Sequence, residues 1–317
     1  MKEFIIEKND AGQRLDKFIK KAVPNLPQNL MYKYIRLKRI KLNGKRCEIS
    51  SRLNVGDKLE MYINDEFFSS EKVQDFTSAP AQIDIIYEDE NILLVNKKCG
   101  LVVHEDDDNT LDTLINRITH YLYDKGEYDP EREQSFAPAL CNRLDRNTEG
   151  IVICAKNAES LRLLNDIIKE REITKKYLCI TIGAPKPREA TITAYLEKDE
   201  SKKQVYISDK KTPSNKTIVT KYKVLETRGE LSLCEIELIT GRTHQIRAHM
   251  AYIGHPLLGD GKYGRNDDNR RYGVKYQALC AYHLSFDFKS DKGILNYLNG
   301  KSFSVAVPWF AKEFFDK

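Results

Sequence analysis

A carboxylate between two guanidinium groups stands near the middle of the chain. Asp145 lies in a polar loop, with Arg143 two residues before it and Arg146 directly after it. Because nearby positive charge favours the ionised form of a carboxyl group, we expect Asp145 to stay charged. An ionised carboxylate in this setting is a candidate nucleophile rather than a general acid. The alternative is a surface ion-pair cluster, which contributes little to stability and has no chemical role.

A second polar turn combines two arginines with a histidine. Gly241 follows an apolar run that ends at Thr240, and Thr243 is the expected N-cap of a helix that extends to about residue 252. Arg242 and Arg247 would then lie near the helix start, where their guanidinium groups can meet a carboxylate or a phosphate. The turn therefore offers cationic partners for a carboxylate or a phosphate.

Metal binding is an alternative role for the histidines in and after this turn, but their spacing argues against it. His244 and His249 are five residues apart, one more than the spacing that places two histidines on the same face of a zinc-binding helix. His255 follows, but no acidic residue accompanies these histidines before Asp260. We therefore expect no metal site.

The elements that must position these residues predict an α+β fold. Apolar runs on both sides of the Asp145 loop, ending at Leu140 and beginning at Ile151, predict strand, loop and buried strand. Periodicity predicts further strands at 83–87, 92–96, 173–183, 190–196, 204–207, 217–224 and 232–239, with a last strand pair within 277–288. Helices are predicted at 110–123 (capped by Thr110 or Asn109), 157–170 and 308–314. Because consecutive strands dominate, we expect a mixed, mostly antiparallel sheet with helices packed around it.

The basic residues are concentrated at the N-terminus. Residues 1–64 hold 15 Lys and Arg against 7 Asp and Glu, whereas the remainder holds 37 against 40. Helices are predicted at 13–23 and 28–39, an Asn43-Gly44 hairpin follows, and a strand ends near residue 63. Between Met31 and Arg46 there are seven basic residues and no acid. Four of these are expected on one helical face and a fifth in the hairpin: Lys33, Arg36, Lys38, Arg39 and Lys45.

This acid-free run has two explanations. A solvated helix surface is the usual fate of a single cationic helix, whereas neutralisation of phosphates is the natural use of a run so free of acids. The charge asymmetry favours a small module that docks on a polyanion. We expect this domain at 1–75, with a core at 12–63 and a linker, and a second domain at 80–317.

Composition limits the class of protein. The chain has 317 residues, a mean hydropathy of −0.55 and no run of 18 apolar residues, so we expect no membrane span. Its first residues carry acids and lack a long apolar core, which is untypical of a signal peptide. Seven cysteines without a Cys-x-x-Cys pair fit a reducing cytoplasm better than secretion. We expect a monomer.

Three segments resemble motifs of the RluA-type pseudouridine synthases. Residues 142–150 resemble His-Arg-Leu-Asp-x-x-Thr-Ser-Gly, with departures at Asn142 and Glu149. Residues 241–249 resemble Gly-Arg-[Ser/Thr]-His-Gln-[Ile/Leu]-Arg-x-His, and Lys-Lys-Tyr at 175–177 resembles the second motif of the family. Residues 12–63 resemble an S4 domain, a small RNA-binding module. The resemblance covers nearly the whole chain.

The resemblance implies isomerisation of uridine to pseudouridine in RNA, without a cofactor. Asp145 would be catalytic, Arg247 would pair with it, and Tyr177 would lie in the active site, although a half-buried strand position is the commoner fate of a tyrosine. Whether Asp145 attacks the ribose C1′ or abstracts a ribose proton stays open. The expected RNA-binding residues beside the loop are Arg143, Arg146, Arg242 and His244.

Several alternatives remain at this point. Ribosomal RNA, 23S above all, is the expected substrate, and transfer RNA is the alternative. Asn142 and Glu149 keep open a non-catalytic RNA-binding or ribosome-assembly protein on the same fold, because Glu149 adds negative charge beside an RNA site unless Arg143 or Arg146 pairs with it. A hydrolase that uses Asp145 as its nucleophile is a further alternative, weakened by the lack of a second positioned carboxylate.

Overall fold

The strands form two separate sheets. The computed structural model describes residues 1–68, 75–105 and 110–316. Within these ranges a sheet of four strands lies near the N-terminus, and a sheet of eleven strands follows it along the chain. We call the first part of the structure the N-terminal unit (residues 1–68) and the second the large unit (residues 80–316). The α+β class predicted from the sequence is confirmed.

The N-terminal unit packs two short helices against its sheet. Its sheet order is β1-β4-β2-β3, and its elements are β1 (Lys2–Ile5), α1 (Leu15–Ala22), α2 (Gln28–Arg36), β2 (Ile40–Leu42), β3 (Lys45–Arg46) and β4 (Lys58–Met61). Leu15, Phe18 and Ile19 of α1 are fully buried, as their spacing on one helical face predicts. The hairpin turn is also confirmed, because Asn43 and Gly44 both have the positive φ that this tight turn needs.

The end of α2 corrects the prediction for the basic residues. The helix was expected to reach Arg39, but it ends at Arg36 because Lys38 adopts a left-handed conformation with φ 61°. The Arg39 amide then donates to the Tyr34 carbonyl and the Lys38 amide to the Ile35 carbonyl, which is the Schellman pattern of a helix terminus. The prediction that Lys38 and Arg39 share a helical face with Lys33 and Arg36 is therefore wrong.

The large unit is built on a mixed sheet. Its strand order is β11-β10-β12-β13-β9-β14-β8-β6-β5, with β15 beside β14 and β7 beside β8. In the described part of the chain one pair, β14 with β8, is parallel and the other pairs are antiparallel, as predicted. The strands are β5 (Ile85–Glu88), β6 (Ile92–Lys97), β7 (Ala139–Leu140), β8 (Glu149–Ala155), β9 (Ile173–Ile182), β10 (Glu189–Asp199), β11 (Gln204–Ser208), β12 (Lys216–Arg228), β13 (Leu231–Leu238), β14 (Leu279–Phe286) and β15 (Ser302–Ser304).

Helices cover both faces of this sheet. They are α3 (Leu114–Asp124), α4 (Ala158–Glu170), α5 (Gln245–Tyr252), α6 (Asn266–Arg271) and α7 (Trp309–Phe315). Alternate residues of β6 enter different cores: Leu93 packs in the core that includes residues of α3 and α5, and Leu94 packs in the core that includes residues of α4. Burial on both faces explains why β6 and β8 are continuous apolar runs rather than alternating ones.

Helix α3 and the last strand pair of the large unit differ from the prediction. Helix α3 begins four residues later than expected, and its N-cap is Thr113, whose hydroxyl accepts a hydrogen bond from the Asn116 amide at 3.2 Å. Thr110 is therefore not the cap, and Asn109 lies outside the described residues. The strand pair expected within 277–288 is one strand, β14, and its partner β15 comes from residues 302–304.

The two units touch through a small polar contact. The Gln13 side-chain amide donates to the Ser135 hydroxyl at 2.7 Å, and that hydroxyl donates to Asp10 at 2.6 Å. Asp10 is 1% exposed although it lies in a loop of the N-terminal unit. Arg162 of α4 also donates to the Ala11 carbonyl at 3.0 Å. These contacts hold the N-terminal unit against the large unit at a defined place.

Candidate active site

A polar loop between β7 and β8 carries Asp145, and hydrogen bonds to earlier residues of the chain anchor its backbone. The loop closes on itself, because the Thr148 amide donates to the Asp145 carbonyl at 3.0 Å. Its next carbonyl, that of Arg146, accepts from the Gly100 amide at 3.0 Å and from the Lys97 ammonium at 2.8 Å. The backbone beside Asp145 is therefore fixed by residues that precede it by almost fifty positions.

Lys97 is a buried structural cation. Its side chain is 1% exposed, and its ammonium also donates to the carbonyls of Lys98 and Leu101. Burial lowers the pKa of Lys97 to about 8, with nearby acidic groups opposing the shift. The sequence analysis gave Lys97 no role. Its position at the end of an otherwise apolar run was the signal, because a lysine in such a place must find internal acceptors.

Asp145 pairs with Arg247, as the resemblance implies. Arg247 Nη1 lies 2.7 Å from Asp145 Oδ2, although the two residues come from different elements. His244 Nε2 lies 3.9 Å from the other carboxylate oxygen. Among the described residues these are the ion-pair partners of Asp145, so its positive neighbours come from the α5 region. The expectation that Arg143 and Arg146 hold the Asp145 charge is not met.

A second carboxylate holds Arg247 from the opposite side. Arg247 Nε and Nη2 contact the two oxygens of Asp260 at 2.8 and 2.9 Å, and Asp260 is completely buried. Asp260 Oδ1 also accepts from the amides of Lys262 and Tyr263. Burial alone would lower the pKa of Arg247, but the hydrogen bonds and charges of Asp260 and Asp145 outweigh it and raise that pKa. The guanidinium is therefore permanently charged and held in one orientation.

Asp260 is the functional residue that sequence reasoning missed. In the sequence it appeared only as the first acidic residue after the three histidines, and no role was given to it. Its partner lies thirteen residues earlier on a helix, and no spacing rule links the two positions. The signal was an acid that follows an apolar pair in the glycine-rich segment 256–264, where burial without a partner would be costly.

The start of α5 corrects the predicted cap. Thr243 was expected to cap the helix, but the N-cap is His244, with φ 52° and no side-chain cap hydrogen bond. The side chain of Gln245 satisfies the turn instead, accepting from the Arg242 amide at 3.0 Å and from the Thr240 hydroxyl at 2.9 Å. The left-handed turn directs the His244 ring toward Asp145.

His244 and Tyr177 complete the wall around Asp145. His244 Nδ1 lies 2.9 Å from the Tyr263 hydroxyl, and burial lowers the pKa of this imidazole more than the Asp145 charge raises it. Tyr177 of β9 is 6% exposed, and burial together with the charge of Asp145 raises its pKa well above the ordinary value. At neutral pH both rings are therefore uncharged.

A cleft of about 800 Å³ opens in front of Asp145. It brings together all seven site residues that were predicted from the loop, strand and α5 motifs: Arg143, Asp145, Arg146, Tyr177, Arg242, His244 and Arg247. The five basic residues predicted in the N-terminal unit do not line this cleft. They are exposed on that unit: Lys33, Arg36, Lys38, Arg39 and Lys45. The candidate site thus has two separate parts.

The two departures from the signature loop have structural explanations. The side chain of Asn142 accepts from the Ile153 amide at 2.8 Å and donates to the Ile151 carbonyl at 3.2 Å, so it fastens the loop to β8. Glu149 does not line the cleft. It lines a separate pocket of about 340 Å³ beside Cys99 and Trp309. The side chain of Glu149 therefore lies outside the cleft that holds Asp145.

The three histidines weighed as metal ligands have different partners. His249 Nδ1 lies 3.0 Å from the Thr220 hydroxyl, and His255 Nδ1 lies 3.1 Å from the Ile182 carbonyl. His244 faces Tyr263 and Asp145. In residues 1–68, 75–105 and 110–316, no three His, Cys, Asp or Glu side chains are grouped so that they could hold a metal ion.

Comparison with known families identifies both units. The family described as RNA pseudouridylate synthase matches residues 91–252, and the S4 domain matches residues 13–59. An uncharacterized RNA pseudouridine synthase of Mycoplasma genitalium is 32% identical over 97% of this chain and 97% of its own length. The chain belongs to the RluA-type RNA pseudouridine synthases. It is therefore an RNA-modifying isomerase with an S4 domain.

Two further relatives carry more specific names. The ribosomal large subunit pseudouridine synthase D of Escherichia coli is 32% identical over 82% of this chain and 75% of its own length. The ribosomal large subunit pseudouridine synthase C of Rickettsia felis is 33% identical over 88% of this chain and 90% of its own length. Among solved structures, human RNA pseudouridylate synthase domain containing 1 matches with a TM-score of 0.56 and 22% identity. The match covers 73% of this chain and 86% of the human chain, and it shows that the two proteins share a fold.

The helices were also compared with the requirements of a membrane span. In the part of the chain that the structure describes, none of the synthase's helices has both the length and the apolar character that a crossing requires.

Proposed function

We propose that this synthase isomerises uridines in structured ribosomal RNA, 23S RNA in particular, with Asp145 as its catalytic residue. The observation that carries the proposal is the row of charges Asp145–Arg247–Asp260, with contacts of 2.7 and 2.8 Å. Of the two carboxylates, Asp260 is completely buried and only Asp145 lines the cleft. The row therefore presents one oriented carboxylate to a substrate.

The reaction needs no external group. The bond between uracil N1 and the ribose C1′ breaks, the base turns over, and a bond forms between uracil C5 and C1′. The proton on C5 is released and N1 takes up a proton, so the product is an isomer of uridine. Asp145 acts either by attacking C1′ or by abstracting a ribose proton. In both cases it acts as a carboxylate, and the Arg247 guanidinium, 2.7 Å away, holds that carboxylate in place.

Tyr177 is proposed as the surface on which the uracil ring stacks. Its raised pKa keeps the phenol protonated at neutral pH, so the ring is better suited to hold the base than to accept the C5 proton as a phenolate. The position of Tyr177 in the same cleft as Asp145 supports this role. Help in removing the C5 proton would require a neighbouring base.

The exposed cations around the cleft are proposed to contact the RNA. Arg143 lies at the cleft and is exposed, so it can replace the target base in the RNA helix after that base has turned outward. Extrusion of a base costs a few kcal/mol, and a side chain that fills the gap offsets part of this cost. Arg146 and Arg242 line the same opening, and the uncharged ring of His244 lies beside them.

The N-terminal unit supports a structured ribosomal substrate. We propose that its five basic residues contact RNA phosphates, because their exposure and the acid-free run favour polyanion binding. The names of the relatives from Escherichia coli and Rickettsia felis point the same way, and transfer RNA is the alternative substrate. We further propose a cytoplasmic monomer, since all seven cysteines are free thiols and five of them are buried.

The decisive experiment follows the proton that the reaction must release. Ribosomal RNA labelled with tritium at uracil C5, from cells that lack this enzyme, is incubated with the native protein and with Asp145→Asn. We expect tritium release by the native protein and a loss of about 10⁴-fold or more in the variant, with an unchanged melting temperature.

Both outcomes are informative. Substantial release by Asp145→Asn would refute the catalytic assignment. Release from labelled transfer RNA, but none from ribosomal RNA, would refute the substrate while leaving the chemistry intact.

A further inference from the structure

Strand β9 contributes Ile173, Thr174, Lys175 and Tyr177 to the lining of the cleft. Tyr177 and Lys175 both line it, and they are two residues apart on the same strand. Because successive side chains of a strand point to opposite faces, the intervening Lys176 faces the other side. There its ammonium lies 3.1 Å from Glu235 Oε1. Two adjacent lysines of equal charge therefore have different surroundings.

Lys175 differs from the other poorly exposed lysines of this protein. Lys156 has a carboxylate partner in Glu88 at 2.9 Å, and Lys292 has one in Glu172 at 2.7 Å. In the described ranges no carboxylate or carbonyl forms an ion pair or a hydrogen bond with the Lys175 ammonium, which is only partly exposed. Burial lowers the pKa of Lys175, and no neighbouring acid opposes this.

A partly buried cation without a partner reduces stability. The protein loses hydration of the ammonium and gains no internal hydrogen bond in return. Such a cost is typical of functional sites, where the missing partner comes from a ligand. Asp145, in the same cleft, cannot supply it because its carboxylate is already held by Arg247.

A second cation lies at the same end of the cleft. Arg171 directly follows α4 and lines the cleft together with Ile168, Ile173 and Thr174. It has a left-handed conformation with φ 61°, which ends the helix and leads the chain into β9 four residues before Lys175. Its side chain is exposed, and no carboxylate within the described residues pairs with it. Glu105 and Glu237 also line the cleft, but neither Lys175 nor Arg171 forms an ion pair with a carboxylate of the described residues.

We propose that Lys175 and Arg171 form a subsite for a backbone phosphate of the RNA strand that carries the target uridine. The proposal rests on the function proposed above. Phosphate is the anion that every RNA brings, and an ammonium on a flexible stem binds it as a point charge. Residues two apart in a strand are about 6.6 Å apart, so Lys175 reaches the backbone of the nucleotide whose base faces Tyr177. The subsite positions the nucleotide and takes no part in bond making.

The test measures how RNA affinity depends on salt. In Lys175→Met we expect weaker RNA binding and a salt slope smaller by about 0.7, the contribution of one phosphate contact on a single strand. The KM for tritium release should rise by a larger factor than kcat falls, because the subsite binds the RNA and takes no part in bond making. The melting temperature should be unchanged or higher, since methionine removes an unpaired charge. Lys175→Arg should restore the slope.

Lys176→Met is the matched control. It removes the same charge one residue away on the opposite face, and the salt slope should stay at the native value. An unchanged slope in Lys175→Met, or a slope that Lys175→Arg fails to restore, would overturn the phosphate subsite. So would a large loss of kcat with native affinity, because Lys175 would then act in the chemistry.

Failure of the proposed function would look different. If the native protein released no tritium from any RNA, the isomerisation proposal would fall, yet the binding measurements would still decide whether Lys175 contacts a phosphate.

Discussion

The basic residues of the N-terminal unit and those of the cleft differ in what surrounds them. Lys33, Arg36 and Lys38 are exposed, and in the described part of the chain no carboxylate pairs with them. Arg247 is 7% exposed and is held by two carboxylates at 2.7 and 2.8 Å. The first group keeps its freedom of movement and is screened by salt, whereas the second is fixed and is shielded from it.

The exposed cations should therefore contribute to RNA affinity, whereas the fixed cation should contribute to turnover. Exposed cations can each exchange one phosphate for another, so they add binding energy without defining a single geometry. A cation between two carboxylates, one of them fully buried, defines one geometry and adds little long-range attraction. Substitutions in the N-terminal unit should therefore have small and cumulative effects on RNA affinity. Single substitutions in the charge row should reduce turnover strongly.

The largest expected effect beyond Asp145 itself comes from Asp260→Asn. The change removes the buried charge that orients Arg247, so we expect kcat to fall by about 10²-fold or more while RNA affinity stays near the native value. The free energy of unfolding should fall by about 3 kcal/mol, because one member of a buried ion pair is lost. Tritium release and thermal unfolding measure the two effects.

Asp267→Asn is the matched control for Asp260→Asn. Asp267 pairs with Arg270 on the exposed surface of α6, so its loss should change neither quantity measurably. Native turnover in Asp260→Asn would show that Arg247 is oriented by the helix alone, and the contrast between fixed and mobile cations would lose its basis.

A smaller effect concerns the stability of the folded protein in acid, through His249 of α5. Burial lowers the pKa of His249 to about 4, so the folded protein holds this ring neutral while the unfolded chain protonates it below about 6.5. The unfolded state therefore binds more protons between these values, and the stability of the folded state falls as the pH drops from 6.5 to 4. We expect a loss of about 2 kcal/mol over this range.

His249→Gln should remove this part of the pH dependence. Chemical denaturation of the variant at pH 7 and at pH 4.5 should give a smaller difference in unfolding free energy than that of the native protein. Equal differences in both proteins would show that a group other than His249 causes the acid sensitivity. Since His249 is two residues from Arg247, tritium release should decline over the same pH range.

The smallest expected effect comes from the N-terminal unit. The double variant Lys33→Ala/Arg36→Ala should bind RNA several-fold more weakly, with a salt slope smaller by about 1.4 to 1.8, because two phosphate contacts are lost. The kcat at saturating RNA should not change. Lys289→Ala/Lys312→Ala removes the same charge elsewhere on the surface and should leave the slope unaltered. Equal slopes for both double variants would mean that these basic residues act only through net charge.

Local patterns predicted most of the secondary structure. The periodic burial of α1, the Asn43-Gly44 turn and the apolar strands on both sides of the Asp145 loop each depend on neighbouring residues, and each is confirmed. Strand β1 was not predicted, because it is short and forms only by pairing with β4, more than fifty residues later. The end of α2 was missed because Lys38 adopts a conformation that is typical of glycine.

The candidate site was predicted unevenly for a similar reason. The resemblance to known motifs predicted the contact between Asp145 and Arg247, which no local pattern contains. It did not reveal the residues that support them, since Lys97 acts through carbonyl groups and Asp260 through a partner on another element. The unexpected place of Glu149 has the same origin, because only the folded loop determines which of its side chains face the cleft.

The polar contact between the two units has a consequence for the choice of uridine. Gln13 and Asp10 meet at Ser135, and Arg162 reaches the Ala11 carbonyl, so the S4 surface stands at a set distance from Asp145. An RNA that touches both surfaces must present its uridine at the matching separation from the segment held by the S4 domain. If the S4 domain binds RNA as proposed, this fixed separation would let the enzyme select a nucleotide by its distance from the bound segment in the folded RNA.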